Sequence, residues 1–242
     1  MKTRFYTIAI ALLLICIGAN AQVNKSKTKA RRPQTAVKRT PVKVASTSGQ
    51  KAMFCPNNKH PHAIDLGLPS ETMWSCCNVD AHSPEQYGGL YALAEVKTKK
   101  NYSMPNYRHY NGDEYINNSA MYDFCGTGYD VAHVKWGGDW VMPTHQQFRE
   151  LFEECTYEWT TINGVSGAKF IGPNGNIIFL PAGGFSNQDQ SQSGNYWPCT
   201  TYDTLLTHGY YMSMMFSSAR RPFLSSYSMR YMGLSVRPVK RR

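Results

Sequence analysis

The sequence predicts an α+β domain, and three observations support this prediction. One segment, 144–155, carries apolar residues at the spacing of an amphipathic helix. The segments after it alternate with a period of two, which is typical of strands. Two Asn-Gly pairs, at 163–164 and 174–175, separate those segments at positions where antiparallel hairpins commonly turn.

The helix has a recognisable beginning and a clear apolar face. Thr144 is a favourable N-cap, and Gln147 stands three residues later as its capping-box partner. Apolar side chains at i, i+3, i+4 and i+7 then line one face: Phe148, Leu151, Phe152 and Cys155. A second, shorter helix is expected within 120–134.

The strands are predicted from their period and from the turn residues that bound them. They cover 158–162, 168–171, 177–180, 210–216 and 234–239. Two long loops are expected between them, at 185–196 and 217–232. Long loops on a compact scaffold often carry binding residues.

The beginning of the chain resembles a signal peptide, assigned to 1–21. Lys2 and Arg4 precede an apolar run over 8–17, and Ala19-Asn20-Ala21 offers a small-x-small cleavage site. A membrane span needs about 20 apolar residues, so this run is too short to be one. We therefore expect an exported protein without a transmembrane anchor after cleavage, located in the periplasm, on the cell surface or in the medium.

A basic arm is predicted over 22–52, before a globular domain at 53–242. The net charge is +10, yet 23–51 holds nine Lys and Arg and no acidic residue, whereas 52–242 holds fifteen basic and sixteen acidic residues, or −1. The arm lacks aromatic residues and is expected to be disordered, either as a spacer or as a tether to an anionic surface. The near-neutral domain gives no indication of specific nucleic-acid binding.

Six cysteines follow the signal segment: Cys55, Cys76, Cys77, Cys125, Cys155 and Cys199. Export permits disulfides, and the last five are disulfide candidates whose connectivity the sequence leaves open. Buried thiols are the alternative. The adjacent pair Cys76-Cys77 rarely bridges to itself, because a disulfide favours Cα atoms about 5.5 Å apart.

Motifs of catalysis are not recognisable, and we predict no catalytic residue. His60-Pro61-His62 offers two imidazoles without a third ligand nearby in sequence, which favours a polar loop over a metal site. A structural role is predicted for the segment around two glycines, where two indoles would cover a tight backbone crossing. These structural residues are Trp136, Gly137, Gly138, Trp140 and Pro143.

Ligand-binding candidates are concentrated in the last fifth of the chain. Tyr, Trp and Arg dominate binding hot spots, and they also stack on rings and pair with anions. The candidates are Tyr196, Trp197, Tyr202, Arg220, Arg221, Arg230 and Tyr231.

Five motifs occur in a specific order along the chain. They are AIDLGLPS at 63–70, WSCCNV at 74–79, PEQYGGLYA at 84–92, AHVKWGGDWVMPT at 132–144 and GLSVRPV at 233–239. Together they resemble the Fibrobacter succinogenes major paralogous domain family, which occurs in exported proteins of Bacteroidetes-type bacteria. The resemblance covers about 60–239.

The resemblance implies a C-type-lectin-like fold, related to that of formylglycine-generating enzymes, with twisted antiparallel strands, one or two flanking helices and long loops. It implies no assigned activity and no cofactor, although calcium is conceivable near Asn187, Asp189 and Asn195. The leading hypothesis is a non-catalytic recognition or adhesion module for a glycan, an envelope polymer or a protein. The alternatives are an enzyme resembling the formylglycine-generating group and a structural envelope component held by its basic arm.

Overall fold

The structure is a computed structural model that describes residues 62–116, 121–186, 188–201 and 210–241. They belong to a single compact unit, Gly49–Arg242. The predicted signal peptide and basic arm lie outside the described residues, as do the candidates Asn187 and Tyr202 and the cysteine Cys55. No helix within the described ranges has the length and hydropathy needed to cross a membrane.

Within these ranges the chain forms two α-helices, one 3-10 turn and nine strands. The helices are α1, Val131–Trp136, and α2, His145–Glu154, and the turn is Met104–Asn106. The strands are β1 Ala63–Asp65, β2 Thr72–Ser75, β3 Thr156–Ile162, β4 Val165–Ile171, β5 Ile177–Pro181, β6 Ser193–Tyr196, β7 Tyr210–Ser217, β8 Arg220–Met229 and β9 Val239–Arg241.

The strands form three antiparallel sheets of three strands each. Their orders are β1-β2-β9, β3-β4-β5 and β6-β7-β8. Few helices beside antiparallel sheets define an α+β protein, so the predicted class is confirmed.

Helix α2 begins where the sequence predicts. The Thr144 side chain accepts a hydrogen bond from the Gln147 backbone N–H, and the Gln147 side-chain oxygen accepts one from the Thr144 backbone N–H, which completes the capping box. Phe148 and Leu151 are buried on its inner face. Helix α1 is shorter than the expected 120–134 helix, because its N-cap is Asp130, whose carboxylate accepts from the His133 backbone N–H.

The β3-β4-β5 meander follows the predicted turns. Asn163 and Gly164 both have positive φ, 50° and 82°, as a two-residue hairpin turn of this kind requires. All seven residues of β3 pair with β4, from Thr156 opposite Ile171 to Ile162 opposite Val165.

Two predicted loops are wrong in part, because each contains a strand. Residues 193–196 form β6, and 220–229 form β8, on either side of β7. Their Ser-rich sequences lack a period of two, and register shifts at Tyr211/Ser213 and Met215/Ser217 break the alternation further. The last strand also begins later than predicted: 234 and 235 form only isolated bridges, and β9 starts at Val239.

The buried Arg237 connects the end of β2 to β5. It is fully buried, and its guanidinium donates to Asn78 Oδ1 at 2.8 Å, to the Ser75 carbonyl at 3.1 Å and to the Phe179 carbonyl at 2.7 Å. A guanidinium can reach three acceptors in different directions because its five N–H groups are fixed in a planar fork.

Cys125 and Cys199 form a disulfide across 74 residues of sequence. Two backbone hydrogen bonds lie beside it, since Phe124 N–H donates to the Cys199 carbonyl and Cys199 N–H donates to the Pro143 carbonyl. The other described disulfide candidates, Cys76, Cys77 and Cys155, are buried thiols in this structure.

Candidate functional site

A polar groove lies where β3 faces two turns, the one that leads into β6 and the one between β7 and β8. We call it the Trp159 groove. It encloses about 520 Å³ and is open to solvent. Its lining comes from β3, from the turn that leads into β6 and from the end of β7: Trp159, Asp189, Ser191, Gln192, Ser193, Ser217 and Ser218.

The indole of Trp159 is the large aromatic surface of this groove. It is half-buried, and its edge contact with Phe216 has a centroid distance of 6.2 Å and an interplanar angle of 65°. Phe216 in turn stacks on the buried Tyr196 ring at 5.9 Å. The core therefore supports the indole from below while part of the ring remains accessible.

Gly194 allows this stack to form. It lies opposite Phe216 in the β6–β7 register, and a Cβ atom placed on it would stand 2.0 Å from the Phe216 ring. The phenyl ring therefore lies directly over the backbone of β6, in space that any side chain at 194 would occupy.

Replacing Gly194 by Ala should displace Phe216 and, with it, the support of Trp159. We expect a loss of about 1–3 kcal/mol in the free energy of unfolding, as for other overpacked cores. Urea unfolding followed by tryptophan fluorescence would measure it. Gly128→Ala is the matched control, because a Cβ atom there meets nothing within 4 Å. Equal stability of the two variants would contradict this account of Gly194.

Hydrogen bonds hold the rim of the groove in place. The Asp189 carbonyl accepts from Gln192 N–H at 3.0 Å and from Ser193 N–H at 3.2 Å, which closes the turn before β6. Ser191 N–H donates to the Ala182 carbonyl, and the Ser191 hydroxyl lies 2.7 Å from the Tyr87 hydroxyl. These turn residues therefore present their polar groups from a fixed backbone.

The groove combines uncharged hydroxyls and an amide with one carboxylate, that of the exposed Asp189. The Tyr157 hydroxyl donates to the Ser217 carbonyl at 3.1 Å. Burial raises the pKa of Tyr157, partly offset by the positive charge of Arg221, so the phenol remains a neutral donor. Arg220 and Arg221 are exposed at the start of β8, and the Arg220 guanidinium lies 4.5 Å from the Phe223 ring centroid.

Tyr196 and Trp197 do not form a binding surface, and the structure corrects the interpretation given to them above. Both are fully buried. The Tyr196 hydroxyl donates to the Pro181 carbonyl at 2.8 Å, and burial raises its pKa to about 12. The Trp197 indole N–H donates to the Tyr91 carbonyl at 2.8 Å. Their polar atoms are thus satisfied inside the core, as buried Tyr and Trp usually are.

Arg230 is likewise fully buried, which corrects its assignment as a binding residue. Its guanidinium lies between the Tyr107 and Tyr115 rings, at 5.5 and 5.4 Å from their centroids, and donates to the Ile116 carbonyl. Tyr231 is half-buried, and its hydroxyl contacts Met229 Sδ. The structure thus leaves Arg220 and Arg221 as the exposed members of the described candidate set.

The structure also changes the interpretation of the Trp136–Trp140 segment. The two indoles contact each other edge to face at 5.2 Å, but a Cβ atom on Gly137 or Gly138 would meet nothing within 4 Å. No tight backbone crossing occurs there. The glycines instead allow the positive φ values, 66° and 56°, with which the chain leaves α1. Pro143 is buried next to α2.

Two sets of residues are candidates for holding a metal ion: the calcium candidates named from the sequence, and an acidic and cysteine group that the fold brings together. Asp189 lines the groove, whereas the Asn195 amide is buried and donates to Ser193 Oγ. Among the described residues, one acidic and cysteine group comes together: Asp123, Cys125 and Cys199. Because both of these sulfurs are in the disulfide, they are not thiolate ligands.

Of the described groove residues, Trp159 alone lies outside the two loops predicted to carry binding residues, 185–196 and 217–232. It lies in a stretch recognised as a strand, but it alternates with Glu158 and Thr160 as a core residue would. The local sequence pattern does not show that two distant turns, the one that leads into β6 and the one between β7 and β8, lie close to Trp159. Comparisons with protein-family models, with curated proteins and with solved structures found no match to this chain.

Proposed function

We propose that this protein is a non-catalytic recognition module that binds a glycan in the Trp159 groove. The observation that carries the proposal is a half-buried indole, supported by the core, in a groove whose other lining residues carry hydroxyl, amide and carboxylate groups. Aromatic rings pack against the apolar faces of sugar rings. Asp189, Gln192 and the serines supply acceptors and donors for the hydroxyl groups of a sugar.

The shape of the groove favours a short section of a carbohydrate chain over a small buried metabolite. Pockets for small molecules usually enclose most of the ligand and are mostly apolar. The Trp159 groove is open to solvent and polar, which suits part of a longer carbohydrate chain better than an enclosed ligand. An open groove buries little ligand surface, and we expect a Kd of roughly 0.1–1 mM for a single site.

The wider setting of this function is part of the proposal. The ordered motifs support a C-type-lectin-like fold of the Fibrobacter succinogenes paralogous-domain type, and the signal-like segment supports export. In that setting the basic arm would hold the module near an anionic envelope. The glycan ligand is favoured over a protein ligand because the groove has one aromatic residue and otherwise only polar lining, whereas protein-binding hot spots are larger apolar clusters.

Replacing Trp159 by Ala is expected to weaken glycan binding strongly. The test is an array of neutral and acidic glycans, followed by calorimetric titration of any glycan that binds saturably to the full chain. Loss of the indole removes the stacking surface, and we expect affinity to fall at least 10-fold, about 1.4 kcal/mol. Trp159→Phe should retain part of the affinity, because a smaller ring still stacks.

Trp140→Ala is the matched control, since that indole is also half-buried but contacts Trp136 and Lys240 rather than the groove. It should bind as the unmodified protein does. Saturable binding that survives Trp159→Ala would place the site elsewhere. If the unmodified protein binds no glycan on the array, the proposed function is wrong.

A further inference from the structure

A second chemical site lies away from the groove, where the chain bends after β2. Successive side chains on a strand point to opposite faces. Cys76 and Cys77 follow the last residue of β2, and the bend brings Cys76 Sγ and Cys77 Sγ to 3.6 Å from each other. The Ser75 hydroxyl donates to the Cys77 carbonyl at 2.8 Å and so holds this bend. Two thiols are thereby held in contact.

An imidazole lies beside the first of these thiols. The β1–β2 register places Ala63 opposite Ser75, so the next pair is His62 opposite Cys76. Cys76 N–H donates to the His62 carbonyl at 3.0 Å, and residues directly opposite each other have side chains on the same face. His62 Nδ1 consequently lies 3.5 Å from Cys76 Sγ. The order of groups in space is imidazole, Cys76 thiol, Cys77 thiol.

The surroundings of the two thiols are apolar. Cys76 is 2% exposed and Cys77 is fully buried, in a cluster with Ala81 and Trp136. The Cys77 thiol lies 3.5 Å from the Ala81 carbonyl. His62 is only half-buried, so the site is adjacent to solvent on the side of the imidazole. A small uncharged oxidant can reach such a site more easily than a protein can.

Cys155 provides an internal comparison. It is also a buried thiol, but its neighbours are the carboxylates of Glu150 and Glu154 rather than an imidazole. Burial, and then those two negative charges, raise the pKa of Cys155 to about 11. A thiol in that environment remains protonated at neutral pH and is a poor nucleophile.

We propose that Cys76 and Cys77 form an oxidisable dithiol in which His62 activates Cys76 and Cys77 resolves the product. The imidazole takes the Cys76 proton, and the thiolate attacks one oxygen of a hydroperoxide. A sulfur–oxygen bond forms, the oxygen–oxygen bond breaks, and the leaving oxygen takes the proton from the imidazolium, giving water or an alcohol. Cys76 is then a sulfenic acid.

The second step uses the contact between the two sulfurs. Cys77 Sγ attacks the sulfenic sulfur, a sulfur–sulfur bond forms, and the hydroxyl leaves with the Cys77 proton as water. The two thiols have lost two electrons, and the hydroperoxide has gained them. Adjacent Cα atoms are about 3.8 Å apart, shorter than disulfides favour, so the product is strained and easily reduced again by thiols. The modification is therefore reversible.

The test is to treat the full chain with one equivalent of hydrogen peroxide, denature it in N-ethylmaleimide and analyse its peptides by mass spectrometry. The peptide that contains Cys76 and Cys77 should lose both labels and weigh about 2 Da less than its reduced form, because two hydrogens are lost. Dithiothreitol should restore both labels. Cys155 should retain its label throughout.

Variants separate the roles of the three residues. Cys77→Ser should stop the reaction at a sulfenic acid on Cys76, which dimedone traps, and Cys76→Ser should leave Cys77 labelled. His62→Gln should slow the oxidation of Cys76 by about 100-fold or more while the protein remains folded. The proposal is overturned if Cys76 and Cys155 lose their labels at equal rates. It is equally overturned if either adjacent cysteine bridges to another cysteine, or if His62→Gln reacts as fast as the unmodified protein.

Discussion

Replacing Arg237 by Ala is expected to lower the free energy of unfolding by about 3–5 kcal/mol, one of the two largest effects we predict, because three buried acceptors lose their donor. The guanidinium is fully buried and donates to one amide oxygen and two backbone carbonyls. Without it, Asn78 Oδ1 and the carbonyls of Ser75 and Phe179 lose a charged donor inside the core. Each buried acceptor left unsatisfied costs about 1–3 kcal/mol.

Urea denaturation of the Arg237 variants measures this effect. Arg237→Lys should also destabilise the protein strongly, because an ammonium is a point charge that cannot reproduce the planar fork. Arg108→Ala is the control, since Arg108 is exposed, and we expect a change within about 0.5 kcal/mol. If Arg237→Ala unfolds at the same urea concentration as Arg108→Ala, the guanidinium does not hold β2 to β5.

Removing the Cys125–Cys199 disulfide should cost about 4 kcal/mol. The bond closes a loop across 74 residues of sequence, and such a constraint lowers the conformational entropy of the unfolded chain. The variant that tests this is Cys125→Ser with Cys199→Ser, compared with the unmodified protein in urea unfolding. Cys199 is fully buried, so its serine hydroxyl adds a further cost beyond the loss of the bond.

A reductant provides the control for the disulfide. Dithiothreitol should lower the unfolding midpoint of the unmodified protein and leave that of the double variant unchanged. A Cys155→Ala variant should remain sensitive to reductant, because Cys155 is not disulfide-bonded. Equal midpoints for the unmodified protein with and without reductant would contradict the bond or its contribution to stability.

The parts of the fold that the sequence predicts are those controlled by local interactions. The α2 capping box joins residues three apart, and the β3–β4 hairpin turns at adjacent residues with positive φ. Strands β6 and β8 were missed because they exist through pairing with β7, and β7 carries two register shifts that hide its period. Local patterns cannot show pairing of this kind.

The candidate site was harder to predict than the fold, because composition does not show which aromatic residues are buried. Tyr196 and Trp197 have the chemistry of a binding surface, yet each satisfies its polar atom against a carbonyl in the core. Arg237 lies in a short motif with no sign of burial, since arginine is usually exposed. Trp159 lines the groove only because two turns distant in sequence approach it. These facts depend on tertiary contacts alone.

The aromatic side of the Trp159 groove and its polar rim differ in how well they tolerate amino-acid substitution. Its aromatic floor is attached to the core through Phe216 and Gly194, where substitutions are costly. Its polar rim lies on turns, where side chains at 192 and 218 are exposed and can be exchanged at little cost in stability. Under the proposed function, substitutions at the rim alone would therefore change which ligand the groove prefers, while the fold stays the same.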